Sequence, residues 1–545
     1  MHRRKFVQKS FGYLAGIPLL SQGFGCKTTD HASNLKDDGS PSIGAVGTVR
    51  GTNHNTPNGA FNLRYSDIGL ASMENGVFPM HALGENIGRA FAADAEALRR
   101  HLDNFLNTPN RPPLKIMGGG HSYIGASVGQ GAHVINMRPL SHIEFNPSAN
   151  EIRVGAGCAF HEVLSVLWNY NRQHNSQWAL PTGDCPNVGV SGYTMGGGQS
   201  LLSPMLGLGC DRVKSMTVIT LDYNNCTQRF EPTLRKLPDP ASIMPVQDKD
   251  LLWALKGGGS WYGVVCDITY NIEQLPKSKI YCFTLKGRGA EEAQQVFKDW
   301  CFFDFKSAQT SSKFMYDMYQ GIKIMGVTPS DEDFNALMGF FNARKRGEDF
   351  VRVHKDYGSD FNLENMYYTF SGCEELRTCG ETSVVKEPTA FCAASAFLNR
   401  DQAWNQGRVM DLFRKILEPN DYNPKPYYTF VQFSRWTGRI KDATFAKNSA
   451  FAHRNAPDYE TQIYVSGPKS WSPQWTQWVD QAVGTLGTKI GSFLNHANAN
   501  IERDLAPYLG TDDVEWGKSR VQKLSEIHNF FDPKNVLTPF QEAKR

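Results

Sequence analysis

The sequence predicts an α+β protein, and three observations carry that expectation. Short apolar strands are interleaved with amphipathic helices through the first half. Three glycine-rich blocks stand beside those strands, so that residues 118–263 hold 20 of the 50 glycines. Farther on, Tyr428-Thr429-Phe430-Val431-Gln432-Phe433-Ser434 reads as a strand whose side chains alternate between two faces. Hydrophobic residues make up 40% and aromatic residues 12% of the chain, enough for sizeable cores, which excludes a disordered or fibrous protein. At about 150 residues per domain, length alone allows three or four domains. The 57 Lys and Arg against 54 Asp and Glu leave a net charge of +3, which gives no electrostatic reason to bind nucleic acid.

Residues 1–26 carry an export-signal pattern. Arg3-Arg4-Lys5-Phe6-Val7-Gln8-Lys9 presents a twin arginine, a spacer and two apolar residues. The apolar run after it, 11–20, is interrupted by Pro18 and is too short to span a bilayer. Twin-arginine signals serve bacterial export, so the expected location is periplasmic or at a membrane surface. Gly23-Phe24-Gly25-Cys26 resembles a lipoprotein box from which Gly23 and Phe24 depart, so a lipid anchor at Cys26 and its absence both stay open. Residues 27–60, rich in Thr, Asn, Gly, Ser and Asp, read as a polar linker.

The glycine blocks follow in order. Phe91, Ala95, Leu98, Leu102 and Phe105 have helical spacing over 89–105. After Pro109, Pro112 and Pro113, the strand Leu114-Lys115-Ile116-Met117 runs into Gly118-Gly119-Gly120-His121-Ser122-Tyr123. Glycines there allow positive φ and let several N–H groups face one anion. The block is neither a P-loop nor a GxGxxG fingerprint. Strands over 134–137 and 151–154 and a helix over 160–170 lead to Gly183-Asp184-Cys185-Pro186-Asn187-Val188-Gly189-Val190-Ser191-Gly192-Tyr193-Thr194-Met195-Gly196-Gly197-Gly198. The third block, Gly257-Gly258-Gly259-Ser260-Trp261-Tyr262-Gly263, precedes a strand over 264–270. Together the three suggest a large phosphate-bearing ligand held mainly by backbone.

This order of motifs, with the closing Phe530-Phe531-Asp532-Pro533-Lys534-Asn535-Val536-Leu537, resembles the berberine-bridge-enzyme-like family of vanillyl-alcohol-oxidase-type flavoproteins. The resemblance implies a PCMH-type FAD-binding domain of two subdomains, built from 61–275 and 490–545. A substrate domain over 276–489 would carry an antiparallel sheet covered by helices. FAD would be tethered twice, by His121 at the 8α carbon and by Cys185 at ring carbon 6. Both side chains are nucleophiles suited to an electron-poor ring. Gly118, Gly119, Gly120, Ser122 and Tyr123 would line the cofactor, Gly189, Gly192 and Gly196–Gly198 would approach it, and Val265 and Asn495 would add contacts. Val188, small and three places after the cysteine, favours oxygen as acceptor.

The activity so implied is oxidation of an alcohol, a sugar or another secondary-metabolite hydroxyl, with oxygen giving hydrogen peroxide. A base must take the hydroxyl proton. Gln432 stands where family members carry Glu or Gln. The family's Tyr-x-Asn-Tyr region reads Phe493-Leu494-Asn495-His496, so His496 replaces a tyrosine base. Tyr193 is the other candidate. A dehydrogenase with a different acceptor, and an exported flavin-binding lipoprotein with weakened chemistry, stay open as alternatives.

The remaining features carry less. Cys373 and Cys379 allow a disulfide in an exported protein and lack the paired spacing of a zinc site. Cys158, Cys210, Cys226, Cys266, Cys282, Cys301 and Cys392 read mostly as buried thiols.

Overall fold

The computed structural model describes residues 47–49, 88–91, 94–123, 126–127, 132–186, 188–237, 246–319, 321–354, 389–496, 506–514 and 518–537. The signal pattern over 1–26, Cys26, Cys373 and Cys379 lie outside them.

Two main sheets, with two short two-stranded ones beside them, form the first half of the described residues. Strand β1 (Gly47–Val49) is followed by β2 (Gly88–Phe91), helix α1 (Ala95–Leu106), β3 (Leu114–Met117) and β4 (His133–Asn136). Strands β2, β4 and β3 make a three-stranded parallel sheet with β4 central. The helix expected from residue 89 starts later. Residues 88–91 pair as a strand, and the Asp94 carboxylate accepts from the Ala97 N–H at 2.7 Å, which caps α1 and fixes its start.

Next come β5 (Ile143–Asn146), β6 (Glu151–Gly155), α2 (Phe160–His174), α3 (Val190–Met195), β7 (Val213–Thr220), β8 (Thr233–Leu237), α4 (Val246–Leu255) and β9 (Val264–Asn271). Their strands join β1 in a six-stranded antiparallel sheet ordered β1-β5-β6-β9-β7-β8. Strand β1 falls inside the segment expected to be a linker. It adds to the sheet edge through backbone hydrogen bonds, which need no apolar periodicity to form.

The second half is one seven-stranded antiparallel sheet. Its elements are β10 (Lys279–Leu285), α5 (Ala290–Cys301), β11 (Lys313–Asp317), β12 (Ile322–Thr328), α6 (Asp331–Asn342), β13 (Phe350–His354), β14 (Thr389–Leu398), α7 (Gln406–Leu417), β15 (Tyr428–Arg435), β16 (Tyr459–Pro468) and α8 (Ser472–Gly484). The strand order is β13-β10-β12-β11-β15-β16-β14. Alternation divides its labour. Phe314, Tyr316, Val431, Phe433, Ile463 and Val465 join a core with Phe297, Leu412 and Trp478 from the covering helices. The other face presents Lys313, Met315, Gln432, Ser434, Glu460, Gln462 and Tyr464, and it is this face that meets the glycine loops.

The chain then returns to the first half. Helix α9 (Arg520–Phe531) buries Leu524, Ile527 and Phe531 in the same core as β7 and β9. The Leu221 N–H donates to the Phe531 carbonyl at 3.1 Å. Among the described residues no helix is long and apolar enough to cross a membrane, and no group of three or more His, Cys, Asp or Glu is placed to hold a metal.

Candidate functional site

Close backbone approach brings the first two glycine blocks together. A Cβ on Gly189 would lie 2.3 Å from the Gly119 nitrogen, and one on Gly118 would lie 2.9 Å from the Ser191 hydroxyl. Real side chains do not tolerate such distances, so glycine is what lets the His121 and Cys185 loops lie side by side. Ser122 steadies the first loop by accepting from the Ala126 N–H at 3.2 Å. Gly120 has φ 73°, where a side chain would be strained.

Three side-chain contacts then join these loops to the polar face of the seven-stranded sheet. Lys313 on β11 forms an ion pair with Asp184, the residue before Cys185. The Gln462 amide on β16 lies 3.4 Å from the Tyr123 hydroxyl, and Gln432, its register partner on β15, donates to Gln462 at 2.8 Å. His496, in a short turn after α8, places Nδ1 3.0 Å from Glu460 Oε1. The His496 ring lies edge-on to Tyr123, with centroids 6.0 Å apart, and Tyr464 packs edge-on to Tyr123 at 6.3 Å.

The electrostatics assign protonation roles. Burial pushes the Tyr123 phenol up to about 12; the Gln462 hydrogen bond opposes this, and charge at Cys185, Asp184 and Glu460 adds to it. Tyr123 therefore keeps its proton at neutral pH, and its oxygen accepts from the Gln462 amide. His121 keeps an exposed surface but is surrounded by protein, and that desolvation pulls its imidazole down to about 4. It is uncharged at neutral pH, the form in which a ring nitrogen is nucleophilic. The Glu460 side chain is fully buried; one oxygen meets His496, and Oε2 has no partner among the described residues.

Several of the expected residues also have structural contacts of their own. The Tyr193 hydroxyl donates to the Gln199 carbonyl at 2.8 Å, and its ring packs edge-on to Phe160 and fills the space left by Gly198 and Gly209. Tyr193 is thus a packing residue and is not placed as a base. Gly196 and Gly197 leave room for Asn495 and Phe451. The Asn495 amide donates to the Tyr193 carbonyl at 3.0 Å, holding the His496 turn to α3. In the third block Gly257 faces Phe451, Gly258 faces Leu524 of α9, and Gly259 faces the Trp261 ring. At Gly257 and Gly258 the missing side chain lets segments distant in sequence pack close, and at Gly259 it makes room for the ring of Trp261. Val265 is buried opposite Val218 in the six-stranded sheet, and Val188 donates to the Cys185 carbonyl at 3.3 Å. Cys226 is exposed, unlike the six other thiols expected to be buried with it.

Sequence reasoning missed Glu460, Gln462 and the Asp184–Lys313 pair. The signal for the first two was available: residues 460, 462 and 464 share one face of a strand.

Comparison with known proteins decides what group these loops serve. The family profile described as FAD binding domain matches residues 101–222. An FAD-linked oxidoreductase of Pyricularia oryzae is 30% identical over 439 residues, covering 78% of each chain. The chain belongs to a family of FAD-linked oxidoreductases. An uncharacterized FAD-linked oxidoreductase of Bacillus subtilis is 28% identical, over 78% of this chain and 85% of its own. Among solved structures, the wild-type BBE-like 1 protein of Physcomitrella patens superposes with TM-score 0.67 at 18% identity, covering 88% of this chain and 94% of its own. Berberine bridge enzyme from Eschscholzia californica superposes with TM-score 0.66 at 14% identity over 88% and 95%. The two-subdomain PCMH-type FAD fold with a helix-covered substrate sheet is therefore that of this family. The residues present fit the cofactor. Gly192 is exposed, with no atom within 4 Å of where a Cβ would stand. The buried Asn136 Nδ2, on the strand beside Met117 and the first glycine block, has no partner among the described residues. A dinucleotide cofactor needs such open backbone and donor groups beside its loops.

Proposed function

We propose that this flavoprotein oxidises an alcohol, a sugar or another secondary-metabolite hydroxyl, with FAD bonded to both His121 and Cys185 and with oxygen as acceptor, giving hydrogen peroxide. Bound FAD supplies the acceptor for the hydride that leaves the carbinol carbon. The chain's own residues handle the proton and the orientation. Glu460 accepts the Nδ1–H of His496, which fixes the tautomer whose Nε2 is free to take the hydroxyl proton. The Tyr123 hydroxyl and the Gln432–Gln462 amide pair offer donors and acceptors that hold the substrate oxygen in register with that nitrogen.

The observation that carries this reading is the His496–Glu460 pair, set 3.0 Å apart beside Tyr123, where the family's tyrosine base is missing. Residues 61–275 with 490–545 would hold FAD, and 276–489 would bind substrate. The test is a panel of sugars and alcohols given to purified holoprotein, first without oxygen and then with it. Bleaching of the flavin absorbance followed by stoichiometric peroxide supports an oxidase. Bleaching without peroxide makes it a dehydrogenase. No bleaching by any alcohol at high concentration overturns the alcohol reading.

A further inference from the structure

We propose that Lys313, through Asp184, is the positioning residue for the sulfur bond between Cys185 and the flavin; this rests on the double tether proposed above. The Cys185 turn is held from two sides. On one side backbone hydrogen bonds hold it. The His161 N–H donates to the Pro186 carbonyl at 2.7 Å, the Phe160 N–H to the Val188 carbonyl at 3.1 Å, and the Val188 N–H to the Cys185 carbonyl at 3.3 Å. These hang the turn from the start of α2. On the other side the Lys313–Asp184 ion pair ties the residue next to the thiol to β11.

The pair joins residues distant in sequence and poorly matched in exposure. The Lys313 side chain is 5% exposed and that of Asp184 is 44% exposed. Burying an ammonium against a half-solvated carboxylate is a poor source of stability, because desolvation of the lysine offsets the attraction. The pair does fix geometry. Lys313 lies opposite Ser434, whose other register partner is Glu460, so the same sheet face sets the Cys185 turn and the His496–Glu460 pair. His121 lies on the other loop, and no hydrogen bond or ion pair of the described residues links it to Lys313. The two loops therefore reach the same sheet face through different side chains, Tyr123 and Gln462 for one and Asp184 and Lys313 for the other.

The chemistry requires such placement. The Cys185 thiol loses its proton to water and its sulfur bonds the ring carbon. The hydrogen on that carbon leaves as a proton, and the two electrons remain on the ring until dioxygen accepts them and becomes hydrogen peroxide. Misplacing a reacting atom by about 1 Å costs about a hundredfold in rate. Loss of the pair should therefore slow sulfur attachment selectively.

The test uses full-length holoprotein of the wild type, Lys313→Met, Lys313→Arg and Asp184→Asn. Flavin on the Cys185 peptide and on the His121 peptide is quantified separately by mass spectrometry after proteolysis. Lys313→Met and Asp184→Asn should lower Cys185 occupancy at least about tenfold, with His121 occupancy kept, and Lys313→Arg should restore most of it. Full Cys185 occupancy in Lys313→Met or Asp184→Asn overturns the proposal, as does equal loss of both tethers, which would mark a general folding role. Wild-type protein without flavin on Cys185 fails the double tether itself, a distinct result. Asp184 is half exposed, so Asp184→Asn reads the same contact without disturbing the sheet interior.

Discussion

Replacing Glu460 by glutamine separates the geometry of the His496 pair from its charge. The carboxylate is fully buried and its Oε1 lies 3.0 Å from His496 Nδ1. Exchanging a charge-assisted hydrogen bond for a neutral one removes about 1 kcal/mol, which sets a floor of about fivefold in rate. A ceiling comes from Coulomb attraction between unit charges at that distance, about 5.5 kcal/mol at an effective dielectric of 20. The imidazolium that develops as the proton is taken feels only part of it. We expect the first-order rate of anaerobic flavin bleaching, followed by stopped flow, to fall about 10- to 1000-fold at saturating alcohol. The spectrophotometric Kd should move less than about threefold, because the substrate's other contacts remain. A bleaching rate within twofold of wild type would refute the assignment of His496 as the base that Glu460 orients.

Tyr193→Phe keeps the ring and loses only the bond to the Gln199 carbonyl. Turnover should stay within about threefold, whereas removal of a true base costs about 100-fold or more. His121→Ala and Cys185→Ala should each leave acid-precipitated protein yellow, and the double variant colourless. Gly189→Ala drives a Cβ to 2.3 Å from the Gly119 nitrogen, so flavin content per purified chain should fall. The Arg454–Asp211 pair is essentially buried at 2.5 Å, and Arg454→Leu should cost about 3–5 kcal/mol of stability, read as a lowered Tm. His133 is pulled down to about 4 by burial and then by His101, whose Nε2 lies 2.9 Å from its own. Its folded value is below its unfolded one, so the unfolded chain binds more protons and stability falls as pH drops from about 6.5 toward 4. His133→Gln should flatten the Tm–pH curve between 6.5 and 5, above the range where carboxylates titrate.

The parts legible in the sequence were those encoded locally. The first two glycine blocks announced loops that need backbone freedom, and Gln432 could be placed on a face because strand alternation is a local property. What escaped was set by pairing at a distance. Glu460 becomes a site residue only when β16 docks on β15 and the His496 turn folds over it. The third glycine block looked like a ligand loop, yet glycine is equally required where one chain segment crosses another, and Leu524, 266 residues beyond Gly258, occupies that crossing. Tyr193 lay inside a cofactor motif, but its hydroxyl is taken by a carbonyl six residues away. A run of residues cannot report which of these partners arrives.

Helix α9 also sets an order of events during synthesis. The six-stranded sheet is translated by residue 271, but its buried floor includes Leu524, Ile527 and Phe531, and Leu221 donates its N–H to the last of these. Some 250 further residues must leave the ribosome before that floor exists, and the whole seven-stranded sheet emerges in between. A nascent chain stalled before α9 has emerged therefore exposes that unclosed apolar surface to chaperones and proteases.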